Sequence, residues 1–147
     1  MTTHRYSVVM MTYNQEEFVG EALKAILEQD CVPLEILVSD DKSRDETFAR
    51  VKEVVVGYTG PHHLILNRNP ENLGITAHIN QCFRRCSGEL IIAASGDDVS
   101  TPDRIRKIID VYERERPLLI HSLVDSASLN GGQPDPRVLP DRDLGDD

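Results

Sequence analysis

Four short apolar runs, at residues 7–11, 34–38, 63–67 and 89–94, are separated by stretches whose apolar residues recur at helical spacing. This alternation restricts the fold more than any other feature of the chain. Strands that alternate with amphipathic helices build a parallel sheet with right-handed crossovers, because each helix buries its apolar stripe on the sheet it connects. In the first connection Phe18, Val19, Ala22, Leu23, Ile26 and Leu27 form one stripe, while Glu16, Glu21, Lys24 and Glu28 face water. Phe48, Val51, Val54 and Val55 repeat the pattern as far as Gly57. Asn14 with Glu17, and Ser43 with Glu46, have capping-box spacing, which predicts helix starts at both places. The Asn/Pro-rich loop from Arg68 to Gly74 leads into a third helix running to about Arg85, and Ser87-Gly88 ends it. Thr101 at a cap and Pro102 at the first helical position open a fourth, with Ile105, Ile108, Ile109 and Tyr112 as its stripe. Leu118-Leu119-Ile120 reads as a fifth strand. The expectation is an α/β fold, a Rossmann-like, mostly parallel sheet with helices on both faces, over residues 1–129. A polar, acidic tail follows at 130–147.

Parallel topology puts every strand's carboxyl end on one rim, where open α/β sheets take their ligands. The fourth run stops on Gly96-Asp97-Asp98, two adjacent carboxylates that repel unless a cation joins them. A hard divalent ion carrying a phosphate meets that need with oxygen ligands; a solvated turn is the other reading. The second run ends on another pair, Asp40-Asp41, and the first on Thr12-Tyr13. Tyr13 offers a flat face for a base at ~1–3 kcal/mol, or is simply a half-buried surface tyrosine. A carboxylate at Asp40 or Asp41 can accept an imide N–H or ribose hydroxyls, or else form an Asx turn into Ser43. Gly74 lets the backbone approach a diphosphate. Neither Gly-x-x-x-x-Gly-Lys-Ser/Thr nor Gly-x-Gly-x-x-Gly after the first strand occurs, which argues against ATPase and dehydrogenase chemistry.

The formal charge of −9 over 147 residues argues against nucleic acid or an anionic membrane as partner. No apolar run approaches the ~20 residues of a membrane span, and the first residues lack a signal-peptide core. A cytoplasmic protein is expected, membrane-associated at the cytoplasmic face through a part outside this sequence. Cys31, Cys82 and Cys86 form no disulfide framework. His78, Cys82 and Cys86 share a helix face with zinc-ligand residue types, but Ile75, Ile79 and Phe83 interleave with them, which favours core packing.

Four segments in register resemble the N-terminal half of a family 2, GT-A-fold glycosyltransferase. They are Ser7-Val8-Val9-Met10-Met11-Thr12-Tyr13-Asn14; Leu37-Val38-Ser39-Asp40-Asp41-Lys42-Ser43; Asn72-Leu73-Gly74 with Asn80; and Ala94-Ser95-Gly96-Asp97-Asp98-Val99-Ser100 with Pro102. The resemblance covers about residues 7–123 and implies a nucleotide-diphospho-sugar donor with Mn2+ or Mg2+. It implies that Tyr13 flanks the base, that Asp41 contacts it with Asp40 beside it, and that Thr12 and Gly74 complete the donor site. Asp97 and Asp98 stand at the family's Asp-x-Asp element, with Asp98 the chosen metal ligand and Asp97 shared between ribose and metal. Inverting transfer in cell-envelope or polysaccharide synthesis is the implied activity. Two positions depart from the pattern: Met11 replaces a frequent proline, and Ser95 stands where the first aspartate of Asp-x-Asp often lies. The family places its acceptor half and general base later, so the base is expected beyond this chain's end, the fold is expected to be truncated, and the surface left exposed is expected to support homo-oligomers. A nucleotidyltransferase is disfavoured because Thr12-Tyr13-Asn14-Gln15-Glu16-Glu17 is acidic where such enzymes are glycine-rich and basic. A non-catalytic nucleotide-binding or partner-association domain is the competing expectation.

Overall fold

The computed structural model describes residues 4–122. Four strands, β1 (Tyr6–Thr12), β2 (Glu35–Asp40), β3 (His63–Arg68) and β4 (Leu90–Ser95), alternate with α1 (Val19–Leu27), α2 (Thr47–Val56), α3 (Ile75–Arg85) and α4 (Arg104–Glu115). The sheet order is β3-β2-β1-β4 and every pairing is parallel. Thr12 lies opposite Asp40, Asp40 opposite Arg68, and Met11 opposite Ser95, so the four carboxyl ends share one level.

Because β1 and β2 are central and covered on both faces, their residues read as unbroken apolar runs rather than alternating ones. Val8, Met10, Ile36 and Val38 pack with Val19, Leu23 and Ile26 of α1, Val51 of α2, and Ile105 and Ile109 of α4. Val9 and Leu37 point to the other face and meet Cys82 of α3. Three helices thus cover one face and α3 the other. The loop after β3 leaves toward the face opposite the loops after β1, β2 and β4, so the direction of the crossovers reverses at this rim.

The capping boxes do not form. Helix α1 begins at Val19 and α2 at Thr47, and neither preceding residue makes a side-chain cap. Asn14 instead bonds across to the β2–α2 loop. Its Oδ1 accepts the Arg44 N–H at 2.8 Å, and its own N–H donates to Ser43 Oγ at 3.0 Å. Gln15 N–H donates to Thr47 Oγ1 at 2.7 Å, and Glu46 N–H donates to a Glu16 carboxylate oxygen at 2.8 Å. The polar residues that suggested local caps satisfy the neighbouring loop, an equivalent use of the same hydrogen-bonding groups. Helix α4 likewise begins at Arg104, with Thr101 and Pro102 in the turn before it.

No strand forms at Leu118-Leu119-Ile120. Arg116 closes α4 in the left-handed conformation, and Leu118 and Leu119 are exposed. A three-residue apolar run becomes a strand only where a neighbour completes its hydrogen bonds. The segment from Pro117 is a separate unit by compactness, and the predicted tail at 130–147 lies outside the described residues.

At the amino end of the sheet the buried Glu35 holds three elements together. It accepts Ser7 Oγ–H at 2.7 Å, Ser87 N–H at 2.8 Å and Ser87 Oγ–H at 2.6 Å, while Gly88 N–H donates to Ser7 Oγ at 2.9 Å. Burial alone would raise the carboxyl's pKa, but the Ser87 and Ser7 bonds outweigh it and hold it below the ordinary range. The turn between α3 and β4 is thereby tied to β1 and β2.

His62 and His78 are both buried, and burial pushes both imidazoles below the ordinary histidine range; for His78 the charges of Asp41 and Asp40 oppose this without reversing it. In the unfolded chain the same groups take up a proton near pH ~6.5. The unfolded state therefore binds more protons just below that pH, and stability should fall as pH drops from 7.5 to 5.5. Urea midpoints at the two pH values check this; a higher midpoint at pH 5.5 would contradict it.

Candidate functional site

Asp40 and Asp41 follow one another at the end of β2 and serve different ends. Asp40 is buried and turned inward: Oδ1 accepts from Thr12 Oγ1 at 3.1 Å and from Ser43 Oγ, and Oδ2 accepts the Ser43 N–H at 3.0 Å. The Arg68 guanidinium reaches Asp40 Oδ2 at 3.4 Å and donates to the Ser43 carbonyl at 3.0 Å. This grip holds the turn in which Lys42 takes a left-handed φ of 61°, a conformation costing a non-glycine residue of order 1–2 kcal/mol. The Thr12 and Asp40 side chains thus lie beneath the rim, bonded to each other.

Asp41 is also buried, and it organises the loop after β3. Its Oδ1 accepts Asn69 Nδ2–H and the Leu73 N–H, both at 2.8 Å, and Oδ2 accepts the Gly74 N–H at 2.9 Å. Asn72 Nδ2–H adds a bond to the Asp41 carbonyl at 3.0 Å. Burial would raise the Asp41 pKa, but the Leu73, Asn69 and Gly74 donors more than offset it and keep the carboxylate ionised. Gly74 has φ 81°, which glycine adopts without strain, and it starts α3 with its N–H committed to Asp41. Beneath this loop a buried polar chain runs from His78 to Ser39 (2.8 Å), from Asn67 to Ser39 (2.9 Å) and from Asn67 to Asn69 (3.0 Å). Each buried polar group there has a partner, which fixes the loop in one conformation.

Across β1, Tyr13 is 40% exposed at the end of its strand. Beyond it, Asp97 and Asp98 are exposed at the end of β4. Strands β2 and β4 are two ladder spacings apart, ~10 Å. Gly96 is buried at the end of β4; a Cβ there would stand 2.4 Å from Gln15 Oε1 and 3.0 Å from Thr12 Cγ2, so a larger residue would have to displace the Gln15 amide. Behind the pair, Arg104 at the start of α4 donates to the Ala93 carbonyl at 3.2 Å, and burial lowers its pKa while the charge of Asp98 works against that.

Tyr13, Asp41, Gly74, Asp97 and Asp98 thus lie at or beyond the strand ends, on one rim of the sheet. Sequence reasoning did not single out Asn69, Arg68 or Gln15. The only available signal was their place immediately after β3 or β1, where any polar residue is unremarkable. Cys82, the middle of the three zinc-type residues, packs against Val9 and Leu37. For a divalent ion the suitable donors are the hard carboxylate oxygens of Asp97 and Asp98. Among the described residues no cluster of three or more metal-ligating side chains occurs, so an ion here would need further ligands from outside the protein, such as water.

A parallel sheet of this order, with two acidic pairs on its carboxyl rim, defines an α/β domain of the open-sheet class, which as a class takes ligands at the strand ends. The chain belongs to Glycosyl transferase family 2: that family's profile matches residues 7–139. EpsE of Bacillus subtilis (strain 168) is 32% identical over 112 residues, covering 76% of this chain and 40% of EpsE. The undecaprenyl-phosphate 4-deoxy-4-formamido-L-arabinose transferase of Pseudomonas fluorescens (strain Pf0-1) is 31% identical over 116 residues, 76% of this chain and 33% of its own length. Among solved structures, the mannosyltransferase PcManGT from Pyrobaculum calidifontis, in complex with GDP-Man and Mn2+, superposes with a TM-score of 0.68 at 25% identity, covering 76% of this chain and 33% of that one. The fold is that of the GT-A glycosyltransferases, and the chain spans 40% or less of the length of these relatives. None of its described helices is long and apolar enough to cross a membrane.

Proposed function

We propose that this chain is the donor-binding domain of an inverting glycosyltransferase that takes a nucleotide-diphospho-sugar with a divalent ion, Mn2+ or Mg2+. The observation that carries the reading is the one strand-end rim that brings together Tyr13, the Asp41-ordered loop at Asn69–Gly74, and the exposed Asp97 and Asp98. Tyr13 flanks the base, Asp41 accepts from it through the lone pair its three donors leave open, and the Gly74 backbone borders the diphosphate. Thr12 and Asp40 hold these groups from below. Asp97 takes ribose and shares the metal with Asp98, the principal metal ligand. When bound, the ion stabilises negative charge developing on the departing nucleoside diphosphate. Donor-complexed PcManGT, with GDP-Man and Mn2+, supports both the ligand class and the ion.

Inverting transfer also needs a base that deprotonates the acceptor hydroxyl. We assign the base and the acceptor site to the part of such proteins beyond the stretch this chain covers. The undecaprenyl-phosphate sugar transferase among the relatives supports an acceptor in cell-envelope or polysaccharide assembly, met at the cytoplasmic membrane face.

Thermal stability of the chain with UDP, dTDP, GDP, ADP and CMP, each with and without Mn2+, tests the donor site. A ligand at ~100 times its Kd adds about 2.7 kcal/mol. One base should stabilise with Mn2+, and Asp98→Ala should abolish the Mn2+-dependent part. Absence of stabilisation by every nucleotide would refute the reading.

A further inference from the structure

The acidic tip of β4 is connected to β1 through one side chain, and the directions of its hydrogen bonds are fixed. Gln15 Oε1 accepts the Tyr13 backbone N–H at 3.2 Å, and Gln15 Nε2 donates to Ser95 Oγ at 3.2 Å. A backbone N–H can only donate, so the amide oxygen must face Tyr13 and the nitrogen must face Ser95. The Ser95 oxygen then accepts from Gln15, and its one proton is left for Asp97 Oδ1, to which Ser95 Oγ is hydrogen bonded. Packing reinforces the chain, since Gly96 lies against the Gln15 amide and its N–H donates to the Met11 carbonyl at 3.1 Å. One oxygen of an otherwise exposed carboxylate is thereby anchored to the loop after β1.

We propose that Gln15 and Ser95 are positioning residues that aim Asp97 at the metal–diphosphate end of the donor. This rests on the donor-site reading above. A freely rotating carboxylate must be ordered when an ion binds; one held through Oδ1 presents Oδ2 in a fixed direction and loses less side-chain freedom. The same strut ends on the Tyr13 N–H, so the base platform and the acidic tip share one rigid connection. Serine at position 95 thus acts as a donor to Asp97, and the site keeps two carboxylates at the tip.

Calorimetric titration of the chain with UDP, dTDP, GDP, ADP and CMP, each with and without Mn2+, separates the possibilities. In the wild type Mn2+ should tighten binding of one of them. Ser95→Ala should remove about tenfold of that Mn2+-dependent gain, the effect of one hydrogen bond to a charged group, and Ser95→Thr should restore it. Gln15→Glu should reduce the gain more than Gln15→Ala, because a carboxylate cannot donate to Ser95 and sets a negative charge beside Asp97. In Ser95→Ala the melting temperature without ligand should stay near wild type, and metal-free affinity should fall by much less than the Mn2+-dependent gain, because Asp97 also faces the ribose. Wild-type Mn2+ gain in Ser95→Ala would overturn the positioning role and leave the donor site standing. Equal losses with and without Mn2+, or a lowered melting temperature, would also overturn it by showing a structural role. No binding of any of the five nucleotides by the wild type would remove the donor site and this inference together.

Discussion

Replacing Asp41 with alanine should detach the loop after β3 and reduce nucleotide affinity about 10- to 150-fold. The carboxylate is the common acceptor for Asn69 Nδ2–H, Leu73 N–H and Gly74 N–H. Alanine leaves all three donors without it. An orphaned buried donor costs ~1–3 kcal/mol, and water entering at the rim relieves part of this, so a stability loss of about 3 kcal/mol is expected. The affinity range corresponds to one charge-assisted hydrogen bond of ~1.5–3 kcal/mol to the base. Asp41→Asn separates the two roles. Its amide oxygen can still accept from Asn69 and Leu73, but its NH2 group meets the Gly74 N–H donor to donor, so stability should fall by about half as much. Hydrogen exchange at the Leu73 and Gly74 amides, measured beside nucleotide titration, reads both effects. Wild-type protection of those amides in Asp41→Ala would show that the loop does not depend on this carboxylate.

The largest effect expected away from the rim is at Glu35. Glu35→Ala removes the acceptor for Ser7 Oγ–H, Ser87 N–H and Ser87 Oγ–H. The hydroxyls can rotate toward other partners, but the backbone N–H cannot. A loss of about 3 kcal/mol is expected, lowering the melting temperature by about 10 °C in a domain of this size. Glu35→Gln keeps one acceptor oxygen and should lose roughly half as much. The pH dependence has a definite sign. The folded-state pKa of Glu35 lies below its unfolded value, so its contribution is fully present above the ordinary glutamate pKa and is lost as pH falls through the folded-state value. Stability of wild type and Glu35→Gln should therefore converge on acidification below pH ~4. Parallel curves down to pH 2 would show that the carboxylate's charge contributes nothing there.

These two acids show where sequence reading succeeded and where it stopped. The place of Asp41 was legible because a polar residue that ends an apolar strand in a strand–helix repeat must lie on the carboxyl rim. Glu35 was not, because it sits inside a run otherwise read as a buried strand and nothing nearby in sequence answers its charge; its partners Ser7 and Ser87 lie 28 and 52 residues away. The helix starts failed for a related reason. Asn14 and Ser43 have the residue types and spacing of caps, but two loops side by side offer each other's N–H groups an equal partner, and local spacing cannot choose between them. The expected strand at Leu118-Leu119-Ile120 read propensity where a neighbouring strand was required.

By itself the sequence determined the order of elements, the parallel sheet and the residues that reach its carboxyl rim, because hydrophobic period and strand polarity are local properties that carry through any right-handed βαβ packing. Tertiary structure alone decided what each rim residue does. Asp40 and Asp41 are neighbours of the same chemistry, yet one is bonded inward to Thr12, Ser43 and Arg68 and the other holds the Asn69–Gly74 loop. Successive residues at a strand end point in opposite directions and meet partners brought from distant parts of the chain, and hydrogen-bond direction is set by those partners rather than by the residue's own identity.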